Sequence, residues 1–159
     1  MQVQPWLVVA LTGALVGAGA AADTGGREAT VEVLSKRTLM SAAANPVVGS
    51  GFVSGGELLD AQGARVGDGF SHCGVVAVSV AVPPAVTTHC TSVFRLGDGE
   101  LHLSGRRHYR SIAAGFDDTA VAVTGGTGAY ANARGEGRAV RAGSGAEVGY
   151  RFTFTLVTD

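Results

Sequence analysis

The chain has 159 residues, 46% of them hydrophobic and only 16% charged, a balance that supports a buried core and excludes a disordered chain. Its 12 basic and 13 acidic side chains nearly cancel, so nothing electrostatic points to nucleic acid or an anionic membrane as partner. The 25 glycines follow no fixed period, which excludes collagen; they fall between short apolar runs, where tight turns need them.

Residues 1–22 have the form of a signal peptide. An apolar run over 6–16 leads to small residues ending Ala20-Ala21-Ala22, an A-x-A cleavage site. Cleavage there leaves a mature domain, 23–159, that starts at Asp23 and is secreted, with no membrane attachment. The leader departs from the usual pattern in having no Lys or Arg before the apolar run. A membrane anchor is the rival reading, but the run is short for a span and Gly13, Gly17 and Gly19 thin it further.

From residue 30 onward, short β-rich runs alternate with Gly, Asp or Pro turns. Strands are expected over 30–39, 47–53, 64–70, 75–82, 86–96, 100–109, 119–124, 132–141 and 147–157. If the third and fourth are one long bent strand, eight remain. The last is the clearest: Val148, Tyr150, Phe152, Phe154 and Leu156 alternate with Gly149, Arg151, Thr153 and Thr155, the period of a half-buried strand. Gly97-Asp98-Gly99 reads as a hairpin turn and Ala142-Gly143-Ser144-Gly145 as another. Eight antiparallel strands build either a sandwich or a barrel, and an eight-stranded barrel either fills with side chains or holds one small ligand.

Cys73 and Cys90 are expected to form a disulfide, as a nearby pair in an exported protein does. Closing a loop of about 17 residues stabilises by roughly 3 kcal/mol. Pro83-Pro84 poses a difficulty: a hairpin centred there sets Cys73 several residues away from Cys90, so a bulge or a lopsided loop is required. His72 and His89 precede the cysteines and would project to the opposite face. Two His and two Cys could instead hold zinc, but they lack ligand spacing, and no metal is expected. His102, Arg106 and His108 share one parity on their strand; they could line a polar cavity wall, though such a face is more often solvated. No Gly-x-Ser-x-Gly elbow supports a hydrolase.

The most informative segment is Val121-Ala122-Val123-Thr124-Gly125-Gly126-Thr127-Gly128-Ala129-Tyr130-Ala131-Asn132-Ala133-Arg134-Gly135. A strand enters, glycines permit positive φ or close backbone approach, and Thr127 can hydrogen-bond the loop backbone. Tyr130 could staple the turn against the end of a barrel. A phosphate-binding glycine loop is the rival, but no Lys-Ser/Thr pair follows and the next segment is strand, not helix.

This segment resembles the Gly-Gly-Thr-Gly-x-aromatic-x-x-Ala-Arg-Gly signature of the dirigent proteins and, more loosely, the allene oxide cyclases. Gly49-Ser50-Gly51-Phe52-Val53, Leu58-Leu59-Asp60 and Gly63-Ala64-Arg65-Val66-Gly67 resemble the family's first hairpin, and Cys90 through Gly105 its middle strands, so the likeness covers about 30–157. The resemblance implies an all-β, eight-stranded antiparallel closed barrel, related to the lipocalin-like folds and often trimeric, with a hydrophobic cavity that works without cofactor. Its guest would be a hydrophobic or phenolic small molecule whose cyclisation or coupling the barrel steers by orientation. A homo-oligomer, trimer or dimer, would suit outward apolar faces.

One departure matters. Where dirigent proteins usually carry an aspartate pair, this chain reads Ser54-Gly55-Gly56-Glu57, leaving Glu57 as the substitute acid, one position late. Candidate catalytic residues are therefore Glu57 and His102 for proton transfer and Arg134, the Arg of Ala-Arg-Gly, for developing negative charge. Arg134 could equally pair with Glu136 or brace the loop. Tyr130 and Thr127 are the candidate ligand contacts, with Gly125, Gly126, Gly128 and Gly135 as structural glycines. A carrier or structural barrel without catalysis is the alternative function.

Overall fold

The computed structural model describes residues 26–143 and 148–158; the signal segment expected over 1–22 lies outside them. The strands are β1 (Arg27–Met40), β2 (Gly51–Leu59), β3 (Arg65–Val78), β4 (Val86–Leu96), β5 (Gly99–Ser111), β6 (Gly115–Phe116), β7 (Thr119–Gly128), β8 (Arg134–Ala142) and β9 (Gly149–Thr158), with no helix among the described residues. All pairings are antiparallel, in the order β4-β3-β2-β1-β9-β8-β7-β5, and β4 pairs with β5 to close the sheet. The result is an eight-stranded closed barrel, to which the two-residue β6 adds at the end of β5.

Alternation decides which side chains fill it. Tyr150, Phe152, Phe154 and Leu156 of β9 are buried, as are Val86, Thr88, Cys90, Ser92 and Phe94 of β4 and Leu101, Leu103, Arg107 and Tyr109 of β5. One half of the interior is packed with hydrocarbon: Phe94 meets Phe152 edge-on at 4.9 Å and Phe154 at 6.0 Å, beside Leu58, Leu101 and Leu156. Each such side chain removed from water contributes roughly 2 kcal/mol.

The segments expected at 64–70 and 75–82 are one strand, β3. The strand expected over 47–53 begins later, at Gly51, because 47–50 turns: Gly49 has φ 87° and donates its N–H to the Val75 carbonyl, and Ser50 closes on the Val47 carbonyl. Val47 and Val48 are exposed, so their apolar character marks no buried strand. The following strand expected from 132 starts at Arg134, since Asn132 (φ 60°) belongs to the turn.

Cys73 and Cys90 are directly paired across β3 and β4 and joined by a disulfide, both almost fully buried. The lopsided loop is present. The register slips by one residue between Val75 and Ala77, and Pro83-Pro84 lie on the returning side of the connection rather than at its centre.

Candidate functional site

The other half of the barrel interior is packed around a small cavity. Small residues face it: Gly55 and Ser54 from β2, Gly69 and Ser71 from β3, and Ser35 from β1. They leave a cavity of about 40 Å³, open at one side, whose aromatic walls are Phe94, Phe116, Tyr109, Tyr150 and Phe152. A bulge in β1 between Arg37 and Leu39 brings both Arg37 and Met40 to the cavity, where Arg37 Nη1 meets Met40 Sδ at 3.1 Å.

Arg107 enters this space from β5 and is the one buried charged side chain among the described residues, at 8% exposure. Its Nη2 donates to Ser71 Oγ at 3.0 Å and Ser92 Oγ at 3.2 Å, and these two oxygens lie 2.7 Å apart. Its guanidinium carbon sits 4.6 Å from the centre of the Phe116 ring, within cation–π range. Phe116 stacks on Tyr150 at 3.7 Å, and Tyr109 packs edge-on against both Phe116 and Phe52.

Burial pushes the Tyr109 phenol above its ordinary value, against the opposing pull of the neighbouring Arg107. Burial likewise raises Tyr150, whose hydroxyl is held by the Phe116 backbone. Both therefore stay protonated at neutral pH, where Tyr109 can offer its hydroxyl to a guest. Among the described residues, no carboxylate and no histidine lines the cavity.

The structure places the expected site residues elsewhere. Glu57 lies between the buried Gly56 and Leu58, so it points out of the barrel, opposite Lys36 on β1 and Asp68 on β3. His102 lies between the buried Leu101 and Leu103 and faces outward, with Nε2 3.5 Å from Glu100 Oε2. Arg106 and His108 share that outer face; His108 Nδ1 is 3.2 Å from Thr87 Oγ1. Arg134 is exposed at the start of β8, across from Val157.

Thr127 and Tyr130 join the two ends of the signature to the β4–β5 hairpin. Thr127 Oγ1 accepts the Glu100 N–H at 3.2 Å, and the Asp98 carbonyl accepts the Ala129 N–H at 2.9 Å. Tyr130 is pushed up to about 12 by burial and by its hydrogen bond to the Asp98 carboxylate. Glu100, beside the motif, and Arg107, in the cavity, are seven residues apart on β5, or roughly 23 Å along the strand. The signature thus closes the barrel end at the β4–β5 hairpin, far along β5 from Arg107; close backbone approach explains Gly126, Gly128 and Gly135, and the positive φ of 156° explains Gly125.

On β5, parity placed Arg107 and Tyr109 on the face of Leu101 and Leu103. Leu101 and Leu103 mark the inward face of β5, and the same face continues through Gly105 to Arg107 and Tyr109. An arginine on an apolar face was the available signal, and the histidines on the opposite face masked it.

A family model described as an allene oxide cyclase barrel like domain matches residues 27–152. The chain belongs to this family. Among solved structures, this family member is similar to a pyocyanin demethylase (20% identity, 81% of this chain and 100% of the other, TM-score 0.62). A pterocarpan synthase dirigent protein is similar at 13% identity, with 94% and 100% of the two chains covered and a TM-score of 0.61. An exo-specific intermolecular Diels-Alderase follows at 18% identity, 82% and 99% coverage and a TM-score of 0.60. At these identities the likeness is one of fold. No curated protein sequence matches the chain closely enough to count as a relative.

Proposed function

We propose that this barrel is a secreted protein that admits an apolar or phenolic small molecule into its interior cavity and steers its cyclisation or coupling. The observation that carries the reading is a small cavity in one half of the interior, with ring-bearing walls and a few convergent polar groups, the usual make-up of a small-molecule site. The family and the fold of its structural neighbours support it, and the buried disulfide fits an oxidising compartment.

The cavity chemistry favours orientation and charge stabilisation over proton transfer. Among the described residues it holds no carboxylate or histidine to act as acid or base. The aromatic walls would hold a ring in one pose, and Arg107 and the Tyr109 hydroxyl would meet an oxygen that gains negative charge in the transition state. Sites for drug-sized ligands run to about 300 Å³ or more, so a guest must displace the long, unbranched side chains of Arg37 and Met40. A carrier without chemistry is the second reading, favoured by the small cavity and by the lack of a carboxylate in it.

Native mass spectrometry of the mature protein from its own culture medium, with uptake of the neutral fluorescent probe N-phenylnaphthylamine, tests the reading. A co-purifying small molecule or saturable probe binding, lost in Ser54→Leu with the fold intact, is expected. An empty protein that takes up no probe would overturn it and leave a structural barrel.

A further inference from the structure

We infer that the cavity is an anion seat: Arg107, assisted by Arg37, takes the carboxylate of an aromatic acid whose ring lies against Phe116 and Tyr109. This rests on the small-molecule reading above and names the class of guest.

The argument is one of charge. Two guanidinium groups, always protonated, face one small cavity. Buried arginines are ordinarily paired with a carboxylate. Among the described residues neither Arg37 nor Arg107 has one within ion-pair distance. The acidic groups that do form ion pairs there (Asp68 with Arg65 and Arg95, Glu100 with His102, Asp117 with Arg110, Glu32 with Arg151) all have partners outside this cavity. Arg107 is instead held by neutral groups: two serine oxygens on Nη2, the Tyr109 hydroxyl, the Phe116 ring, and Cys73 Sγ at 3.9 Å from Nη1. Arg107 and Arg37 both line the cavity, so both guanidinium groups border the space a guest would take. Ser71 and Ser92 fix the plane of the guanidinium, and Arg37 at the rim adds a second positive charge on a movable stem. A carboxylate there replaces water with charge-assisted hydrogen bonds in a partly dry site, where they are strongest.

The test is a matched pair of probes that share ring, length and planar carbonyl but differ in charge, trans-cinnamate and cinnamamide, titrated by calorimetry against the mature, disulfide-bonded protein. The native protein is expected to bind cinnamate at least about tenfold more tightly than cinnamamide, the difference a charge-assisted pair supplies. Arg107→Gln, which can still hydrogen-bond the serines, is expected to abolish that preference while cinnamamide affinity holds. Arg37→Gln, at the half-exposed rim, should reduce it severalfold even if the Arg107 variant fails to fold. Equal affinity for the two probes in the native protein overturns the anion seat and leaves the small-molecule reading standing. No binding of cinnamate, cinnamamide or the neutral dye overturns both.

Discussion

The Tyr150 hydroxyl grips both backbone groups of Phe116, accepting its N–H at 2.6 Å and donating to its carbonyl at 2.9 Å. The rings of the two residues stack at 3.7 Å and within 2° of parallel. Gly115, at φ 78°, precedes Phe116 because a Cβ there would meet the Tyr150 oxygen at 2.5 Å. Tyr150 thus holds in place the ring on which Arg107 rests. Replacing it with Phe keeps the stack but leaves a buried N–H and carbonyl unpaired, a loss of about 2 kcal/mol. Tyr150→Phe is expected to lower the denaturation midpoint accordingly and to weaken binding of any aromatic probe, both measurable in one urea series with and without ligand.

The same tyrosines set an alkaline limit. Tyr109 and Tyr150 are raised above 10.0 by burial, so the folded state holds their protons more tightly than the unfolded chain. Stability is then fully present below the unfolded value near 10.0 and declines as pH rises toward and through the folded values. Tyr130, pushed to about 12, adds to the same slope. Urea unfolding across this range should show a falling midpoint, and ultraviolet titration should show phenolate appearing late, together with unfolding. Phenol ionisation complete near pH 10 in the folded protein would contradict the burial.

Much of this molecule was legible before any coordinate. Period-2 alternation located β5 and β9 nearly to the residue, β-rich runs between turn signals located β4, and the glycine-rich signature pointed to the barrel. The site was less legible, for two physical reasons. A signature conveys what the backbone needs, and Gly126 and Gly128 are needed where β7 closes on the β4–β5 hairpin, far along β5 from Arg107. And strand parity cannot say which face is interior when both carry polar groups: His102, Arg106 and His108 drew attention from Arg107, one step out of phase. Arg37 was harder still, because its inward position beside Met40 depends on a bulge the sequence does not announce.

Position therefore separates two sets of polar residues. Glu57→Gln and His102→Gln alter the outer face and are expected to leave probe affinity within about twofold, since exposed charges interact weakly with a distant site. Arg107→Gln should weaken cinnamate binding by about tenfold or more. Probe titrations of the three variants side by side check this; a large loss in Glu57→Gln would return that carboxylate to the site.

The disulfide ties β3 to β4 beside Arg107. Replacing Cys73 and Cys90 together by Ser is expected to lose roughly 3 kcal/mol, the loop-closure entropy of a link spanning 17 residues, seen as an earlier midpoint in guanidinium. Because both residues are at most 1% exposed, mild reductant should act on the native protein only slowly, at a rate set by opening of the barrel.

Gly128 tests whether the signature is structural. It holds φ 60°, and a Cβ there would collide with the Asp98 carbonyl, which is backbone and has no rotamer to yield. Gly128→Ala combines left-handed strain with that clash, a loss of at least 1–2 kcal/mol on the usual scale. The collision also pushes the hairpin at Asp98 away from Ala129, whose N–H donates to the same carbonyl. Thermal melting should therefore drop by several degrees and exchange of the Ala129 amide should accelerate. Probe affinity of the protein that remains folded should stay unchanged, because Arg107 and Tyr109 lie at the other end of β5. A variant that melts normally but binds poorly would instead place the guest at the signature.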